Sequence, residues 1–446
     1  MEKRSVFLVF LVFFGCRAIL LSSECFAQYS DGFNYPVGPY ICKPQGTVYE
    51  CLDHIDRRDI GNFEGYRVDQ DFLNNNPSFG NKPHLGVDIN REVRFPNDTT
   101  YSGNRDLGDP VFAVSNGEVV FAQNEGDGWG NVVIIRHIAP ASSRGFVLPR
   151  GGGTVFQVYT LYGHLEDSFV ASGELVEKGQ MIGTIGDADG VYTSCTSPDY
   201  FCAHLHFEVY TQELLVPGDG YAWDTSGYTY PLEFVSDNRM IFGDVDEDAW
   251  FYGHVFDVTT SRIVNGEKTP PDEYGNDHPT GLFRPERSIT RAEFLKMVLL
   301  SRDIDIIPVD HALGPVFNDV PMSHPLFEYV YTALFAGVID DLSASFYPDE
   351  FIIRQDAMEM LMRAFSFAPP DGFYDFNIHD FFDDIYEWSE GAYYIKLAFL
   401  IGNSGETRGG IIGGYPDHTF RPDRLINRAE AAKIMKRAIE CETPLH

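Results

Sequence analysis

The chain has 446 residues, 44% of them hydrophobic, which is enough for two or three domains with buried cores and excludes disorder throughout. Its 66 acidic against 33 basic residues give a net charge of −33, which argues against nucleic acid or an anionic membrane surface as a partner. No loop of alternating Asp and Asn closed by a Glu marks a calcium site.

Residues 1–27 read as an export signal. Lys3 and Arg4 precede an apolar run from Val6 to Cys16 that is too short to span a bilayer, and Cys25-Phe26-Ala27 offers a cut before Gln28. An uncleaved anchor is the alternative, since Ala18 to Leu21 stay apolar, and a lipid on Cys16 is a third reading. The mature chain is expected to be exported and to hold no transmembrane helix. Residues 28–76, rich in Gly, Asp, Asn and Tyr, form an N-terminal extension or a linker. In an oxidising compartment the close pairs Cys42 with Cys51 and Cys195 with Cys202 are disulfide candidates, with free buried thiols as the other reading.

From 77 to 236 the pattern is short β runs divided by Gly and Asp turns. The runs are Val111–Val114, Gly117–Ala122, Asn131–Ile138, Val155–Leu161, Gln180–Gly186 and His204–Tyr210. This spacing predicts an all-β antiparallel domain rather than alternating strands and helices.

After Met240 a unit recurs three times, over 240–302, 314–367 and 379–441. Each copy opens with Phe-x-Asp-Val/Ile, at Asp244, Asp319 and Asp384, and carries an aromatic-rich turn ending in Pro285, Pro348 or Pro422 before a helix. Thr290 with Glu293, and Asn427 with Glu430, have the spacing of a capping box, and Ile289 can staple to Phe294. The middle copy has Ile353 at the cap position and Asp356 in place of Glu. A mainly α-helical triple repeat is predicted behind the β domain, giving a multidomain chain.

Three motifs in the β region carry chemistry: His84-Leu-Gly-Val-Asp88, Tyr162-Gly-His164-Leu165 and His204-Leu-His206-Phe-Glu208. Each alone is weak in a chain with 13 His. On a strand, residues i and i+2 share a face about 6.5 to 7 Å apart, so one of His204 and His206 can bind a metal while the other stands beside it. Spacing does not say which. Two His and a carboxylate form a catalytic zinc set with a fourth position open, needing no Ser or Cys nucleophile.

Taken in order, with Val176-Glu-Lys-Gly-Gln180-Met-Ile-Gly183 between them and Gly108-Asp-Pro-Val111, Asn116-Gly-Glu-Val119 and Gly128-Trp-Gly-Asn-Val-Val133 before them, these motifs resemble the lysostaphin-type (LytM-like) zinc endopeptidases of peptidoglycan. The resemblance implies one Zn2+ per chain held by His84, Asp88 and His206, with His164 and His204 as catalytic residues that position water and stabilise the oxyanion. It implies peptidoglycan stem peptides or cross-bridges as substrate. The segment before His204 departs from the family, a longer loop with Cys195 and Cys202 replacing a short Ser/Thr-Gly-rich one. His54, His137, His254 and His324 sit in no such pattern.

The three C-terminal units resemble S-layer homology domains, which anchor exported proteins to wall-linked polysaccharide. The resemblance implies a place at the cell wall or cell surface, with secondary cell-wall polysaccharide or peptidoglycan as the bound polymer. Arg291, Arg354 and Arg428 occupy the first helical turn of each unit, where the macrodipole disfavours a cation; a bound carboxylate is the reason the resemblance implies, and pairing with a nearby acidic residue such as Glu293 or Glu430 is the other reading. Two other classes compete with the enzyme: a non-catalytic wall-binding or amidase-activating protein, and an ancillary S-layer component.

Overall fold

The computed structural model describes residues 29–38, 42–45, 48–51, 60–63, 65–91, 106–126, 128–187, 203–270, 278–340, 343–401 and 410–442, with side chains of 42–51 and 442 left out. The export-signal segment, Cys195 and Cys202 lie outside the described residues. So do the side chains of Cys42 and Cys51, although their strands pair antiparallel with these two residues opposite one another.

Among the described residues sixteen strands are formed: β1 Cys42–Gln45, β2 Val48–Cys51, β3 Tyr66–Gln70, β4 Asn75–Asn76, β5 Lys82–Pro83, β6 Val87–Arg91, β7 Pro110–Phe112, β8 Gly117–Asn124, β9 Asn131–Ile138, β10 Phe146–Leu148, β11 Gly153–Val155, β12 Gln157–Ser168, β13 Leu175–Val176, β14 Met181–Ile185, β15 Leu205–Tyr210 and β16 Tyr228–Thr229. Ten of them make one antiparallel sheet, in which β13-β8-β9-β12-β15-β6-β3 are neighbours, β14 joins β12 to β7, and β16 pairs with β15.

Alternation along the strands gives this sheet two unlike faces. Leu205, Phe207 and Val209 of β15, with Val87 and Ile89 of β6, point into the main core. Asp88, His206 and Glu208 take the other face, where Leu161, Ile134 and Tyr159 form a smaller cluster beside them. All five residues of β6 are buried, so its polar side chains face an interior site rather than solvent.

The N-terminal segment contributes to the main core. Phe33 is fully buried and meets His137, Phe146 and Phe234 edge-on at 5.3, 5.1 and 5.1 Å. Further along, β3 adds to the sheet through β6. The seven-residue helix α1, Pro231–Asp237, follows β16 and seats Phe234 and Val235 in the same core.

Behind it stand α2 Tyr252–Thr260, α3 Arg291–Ser301, α4 Phe327–Phe335, α5 Arg354–Phe365, α6 Ala392–Leu400 and α7 Arg428–Glu442, two to each repeat and all packed on one hydrophobic cluster. The caps follow the local signals. Thr290 and Glu293 close a capping box on α3, Asn427 and Glu430 exchange the same pair of bonds on α7, and Ile353 leaves α5 without a side-chain cap.

The repeat Asp explains the turns. Asp244 accepts the N–H groups of Phe283 and Arg284 at 2.7 and 2.8 Å, Asp319 those of Phe346 and Tyr347 at 2.9 and 2.7 Å, and Asp384 those of Phe420 and Arg421, both at 2.7 Å. These bonds hold Arg284, Tyr347 and Arg421 at φ of 59°, 60° and 60°.

The three units close on themselves. Ile289 N donates to Ile426 O, Ile352 N to Ile289 O and Ile426 N to Ile352 O, a cyclic set of backbone bonds at 3.0, 3.0 and 3.2 Å. Each such bond joins one unit to the next.

Candidate metal centre

Antiparallel register builds the centre. β6 and β15 pair with Asp88 directly opposite His206, and β12 pairs with β15 so that Gly163 faces His206. His84 precedes β6 and is held by a bridge to Tyr221, whose ring stacks on the imidazole at 4.8 Å.

Three ligand atoms converge. His84 Nε2 lies 3.0 Å from His206 Nδ1, His206 Nδ1 2.9 Å from Asp88 Oδ1, and His84 Nε2 3.3 Å from Asp88 Oδ1. Bonds of 2.0 to 2.1 Å around a tetrahedral ion put ligand atoms about 3.3 Å apart, so this triangle has the size of one face of such a site. All three residues are buried, and they are the one group of this kind found among the described residues.

The charges fit a cation. Burial alone would raise Asp88, yet the neighbouring His204, His206 and His84 hold its carboxyl well below the usual range. Burial disfavours a charge on His206, but Asp88 and Glu208 overcome it and lift the ring to about 9. A divalent ion bound by His84, Asp88 and His206 would satisfy all three ligand atoms at once.

Glu208 orients His206 from behind. It is fully buried, its Oε1 stands 2.9 Å from His206 Nε2, and its Oε2 has no hydrogen-bond partner among the described residues. With Nε2 carrying the proton toward this carboxylate, the Nδ1 lone pair faces the ligand triangle. Gly86 permits the arrangement, because a Cβ there would lie 2.8 Å from His206 Nε2 and 2.9 Å from Glu208 Cγ.

His164 reaches the same place through a break in β12. The register with β9 shifts between Tyr162 and Leu165, and His164 takes φ 59° there, its N–H bonded to Trp129 O. Its ring lies 4.6 Å from that of His204 and 5.7 Å from that of His206. Burial, then the charges of His204 and His206, push its pKa well below the ordinary value, and Nδ1 is buried without a hydrogen-bond partner. His164 is therefore neutral near pH 7. His204 Nε2 stands 3.7 Å from Asp88 Oδ1, on the same side.

Trp129 spans these rings. It stacks on His164 at 5.8 Å, meets His206 edge-on at 5.1 Å and donates Nε1–H to Gly218 O. A Cβ on Gly163 would come within 2.8 Å of the indole, so glycine is required for it to lie there. The sequence motifs gave no role to Glu208, Trp129 or Tyr221. Glu208 was detectable, two residues beyond His206 on one strand face.

The repeat arginines are placed elsewhere. Arg291 Nε donates to Phe346 O, Arg354 Nε to Phe420 O and Arg428 Nε to Phe283 O, at 3.0, 2.9 and 2.7 Å, each reaching the following unit around the ring. Each guanidinium also stands over that Phe ring, at 5.2, 4.6 and 4.6 Å. Arg291 pairs with Asp356, whereas Arg354 and Arg428 bond to the carbonyls of Gly413 and Asn265. Burial pushes Arg428 down to about 10. Joining the units thus already accounts for a cation at each helix start. His137 is buried between Asn116 O and the Thr160 hydroxyl, away from the centre.

Comparison with known proteins agrees with the geometry. The model of peptidase family M23 matches residues 102–217, and that of the S-layer homology domain matches 316–358 and 406–432. The first match begins after His84 and Asp88, which the register of β6 with β15 joins to it. Lipoprotein NlpD of Yersinia enterocolitica is 32% identical over 102 residues, which are 23% of this chain and 77% of that protein. A cellulosome-anchoring protein of Acetivibrio thermocellus is 32% identical over 182 residues, 39% of this chain and 36% of the relative. The chain spans only 19%, 8% and 8% of the length of three other curated relatives it matches. The catalytic domain of lysostaphin from Staphylococcus simulans shares 21% identity over 40% of this chain and 97% of that one, at a TM-score of 0.26, too low to add to the case. Among the described residues no helix is long and apolar enough to cross a membrane. Through its β domain the chain belongs to peptidase family M23, with S-layer homology domains in the helical part behind it.

Proposed function

We propose that the protein is a secreted zinc metalloendopeptidase that hydrolyses amide bonds in peptidoglycan stem peptides or cross-bridges while its helical half holds it at the cell wall. The observation that carries this reading is the triangle of His84 Nε2, Asp88 Oδ1 and His206 Nδ1, with edges of 2.9 to 3.3 Å. A zinc ion there would supply a water that ionises near neutral pH and would polarise the scissile carbonyl. The chain's own groups do the rest. Glu208 fixes the tautomer of His206, and Asp88 carries the negative charge that balances the ion. His164 and His204 line one side of the centre, where a neutral imidazole can take a proton and return it to the leaving amine. Trp129 keeps His164 in place and shields the rings from water.

In the same reading all three helical units are S-layer homology repeats that bind a wall polymer, and Arg291, Arg354 and Arg428 present their remaining N–H groups to it at the junctions between units. Arg354 and Arg428 favour this, because their hydrogen-bond partners are neutral carbonyl oxygens and leave room for a closer anion than the carboxylates around them, Glu430 near the first and Glu293, Glu267 and Asp244 near the second. The names of the relatives, a cellulosome-anchoring protein and a cell surface glycoprotein, fit attachment at the surface. Digestion of several peptidoglycan types, followed by mass spectrometry of the muropeptides, tests the enzyme. A new amino terminus at one defined bond, abolished by a chelator and restored by zinc, is expected. Intact peptidoglycan in the presence of the zinc-loaded protein would refute it.

A further inference from the structure

The third helical unit carries an exposed aromatic column that involves neither the metal centre nor the repeat arginines. His379, Tyr386 and Trp388 stack in that order, with ring centres 4.2 and 5.0 Å apart and planes 25° and 10° from parallel. The column stands on a fixed base. His379 Nδ1 lies 3.2 Å from the carbonyl oxygen of Ile385, a fully buried member of the helical core. A turn closed by Ser389 N to Tyr386 O at 2.8 Å and by Tyr386 N to Ser389 Oγ at 3.0 Å sets the two larger rings. Trp388 is nevertheless 82% exposed, so only its face toward Tyr386 is covered. The other two units show that the fold does not need these rings. Counted from the repeat Asp, the places of Tyr386 and Trp388 hold Asp246 and Asp248 in the first unit and Pro321 and Ser323 in the second.

We infer that the outer face of Trp388 is a binding platform for a neutral polysaccharide, with one sugar ring packed flat on the indole. The C–H groups of a pyranose ring are weakly positive and pack on the negative face of an aromatic ring without needing a charge. Because the stack already fixes the indole, little side-chain freedom is lost when a stiff ring settles on it. The chain around the column carries acid and no base. Residues 364–395 include no Lys or Arg, Asp383 and Glu390 are exposed, and Lys396 just beyond is buried against Glu387 at 3.2 Å. Carboxylates so placed accept hydrogen bonds from sugar hydroxyls. They also repel an anionic polymer, a nucleic acid or a second copy of this chain, whose net charge is −33. The platform thus differs in chemistry from the junction arginines, whose guanidinium groups suit a charged polymer.

Isothermal titration calorimetry of the full chain with cellohexaose, maltohexaose and chitohexaose tests this, with hexalysine as the charged control. Saturable binding of at least one of the three oligosaccharides is expected, unchanged between low and high salt and after treatment with a chelator. Trp388→Ala should lower that affinity at least tenfold, and Trp388→Phe, which keeps a flat ring, should lose less. Melting temperatures check that both variants are folded, and with the indole so exposed neither change empties the core. No saturable binding of any of the three oligosaccharides, or binding equal to wild type in Trp388→Ala, overturns the inference. Binding of hexalysine alone, weakened by salt, overturns it as well and assigns a cationic peptide to this face. None of these readouts uses zinc, hydrolysis or the repeat arginines, so the platform and the peptidase reading fail separately.

Discussion

Replacement of Glu208 by Gln tests the layer behind the ligands. The amide keeps the shape of the side chain and can still present an oxygen to His206 Nε2, now 2.9 Å from Glu208 Oε1, but it removes the charge that strengthens Nδ1 as a ligand. Glu208 is fully buried and its second oxygen has no hydrogen-bond partner, so the Gln amide nitrogen has no ready acceptor there, and the change adds an unsatisfied donor. Partners of this kind are worth about 10- to 100-fold in metal affinity, which is about 1.4 to 2.7 kcal/mol. Competition with a zinc chelator of known affinity reads this directly, and the fold is checked by circular dichroism. A loss of that size with an intact fold is expected. Zinc affinity equal to wild type would show that Glu208 plays no part in orienting His206, and the account of the tautomer would be wrong.

Other variants probe separate parts of the molecule. His164→Ala should keep stoichiometric zinc and lower the hydrolysis rate by about 10²- to 10⁴-fold, because the ring stands beside the ligands without being one; loss of the metal with the ring would make His164 a ligand instead. Asp106 is pushed up to about 8, chiefly by burial, so the fold favours its neutral form, and its contribution is complete only below about pH 4 and fades from there as pH rises toward 8. Asp106→Asn should therefore match wild type in melting temperature below about pH 4 and exceed it increasingly up to pH 8, whereas a difference independent of pH would contradict the buried-acid assignment. Asp319→Ala strips the N–H groups of Phe346 and Tyr347 of their acceptor at a turn with positive φ, and a loss of about 2 kcal/mol in denaturant unfolding is expected.

Local signals were the legible part of this sequence. Thr290 with Glu293 and Asn427 with Glu430 form the boxes their spacing announces, and Ile353 fails as a cap for want of a side-chain acceptor. The motif order pointed to His84, Asp88 and His206, and the structure brings these three together. Long-range pairing was the illegible part. Tyr66–Gln70 and Val87–Arg91 are absent from the runs read as strands although apolar and polar residues alternate in both, and that alternation alone would turn Asp88 and Asn90 to solvent, whereas both are buried. β12 runs on to Ser168, past the end read at Leu161, because the irregularity at His164 bends the strand without ending it. The arginines show the same limit. A dipole argument treats each as a charge at its own helix start, whereas each in fact reaches a carbonyl of the next unit, 55 to 145 residues away.

The measurement that bears most directly on the central claim is zinc analysis of purified wild type and His206→Ala, paired with an assay for new amino termini released from peptidoglycan. The account predicts one zinc per chain in wild type, with metal and hydrolysis lost together in the variant. Stoichiometric zinc in a wild-type protein that releases no amino termini from several peptidoglycan types, or hydrolysis that survives in His206→Ala, would contradict it.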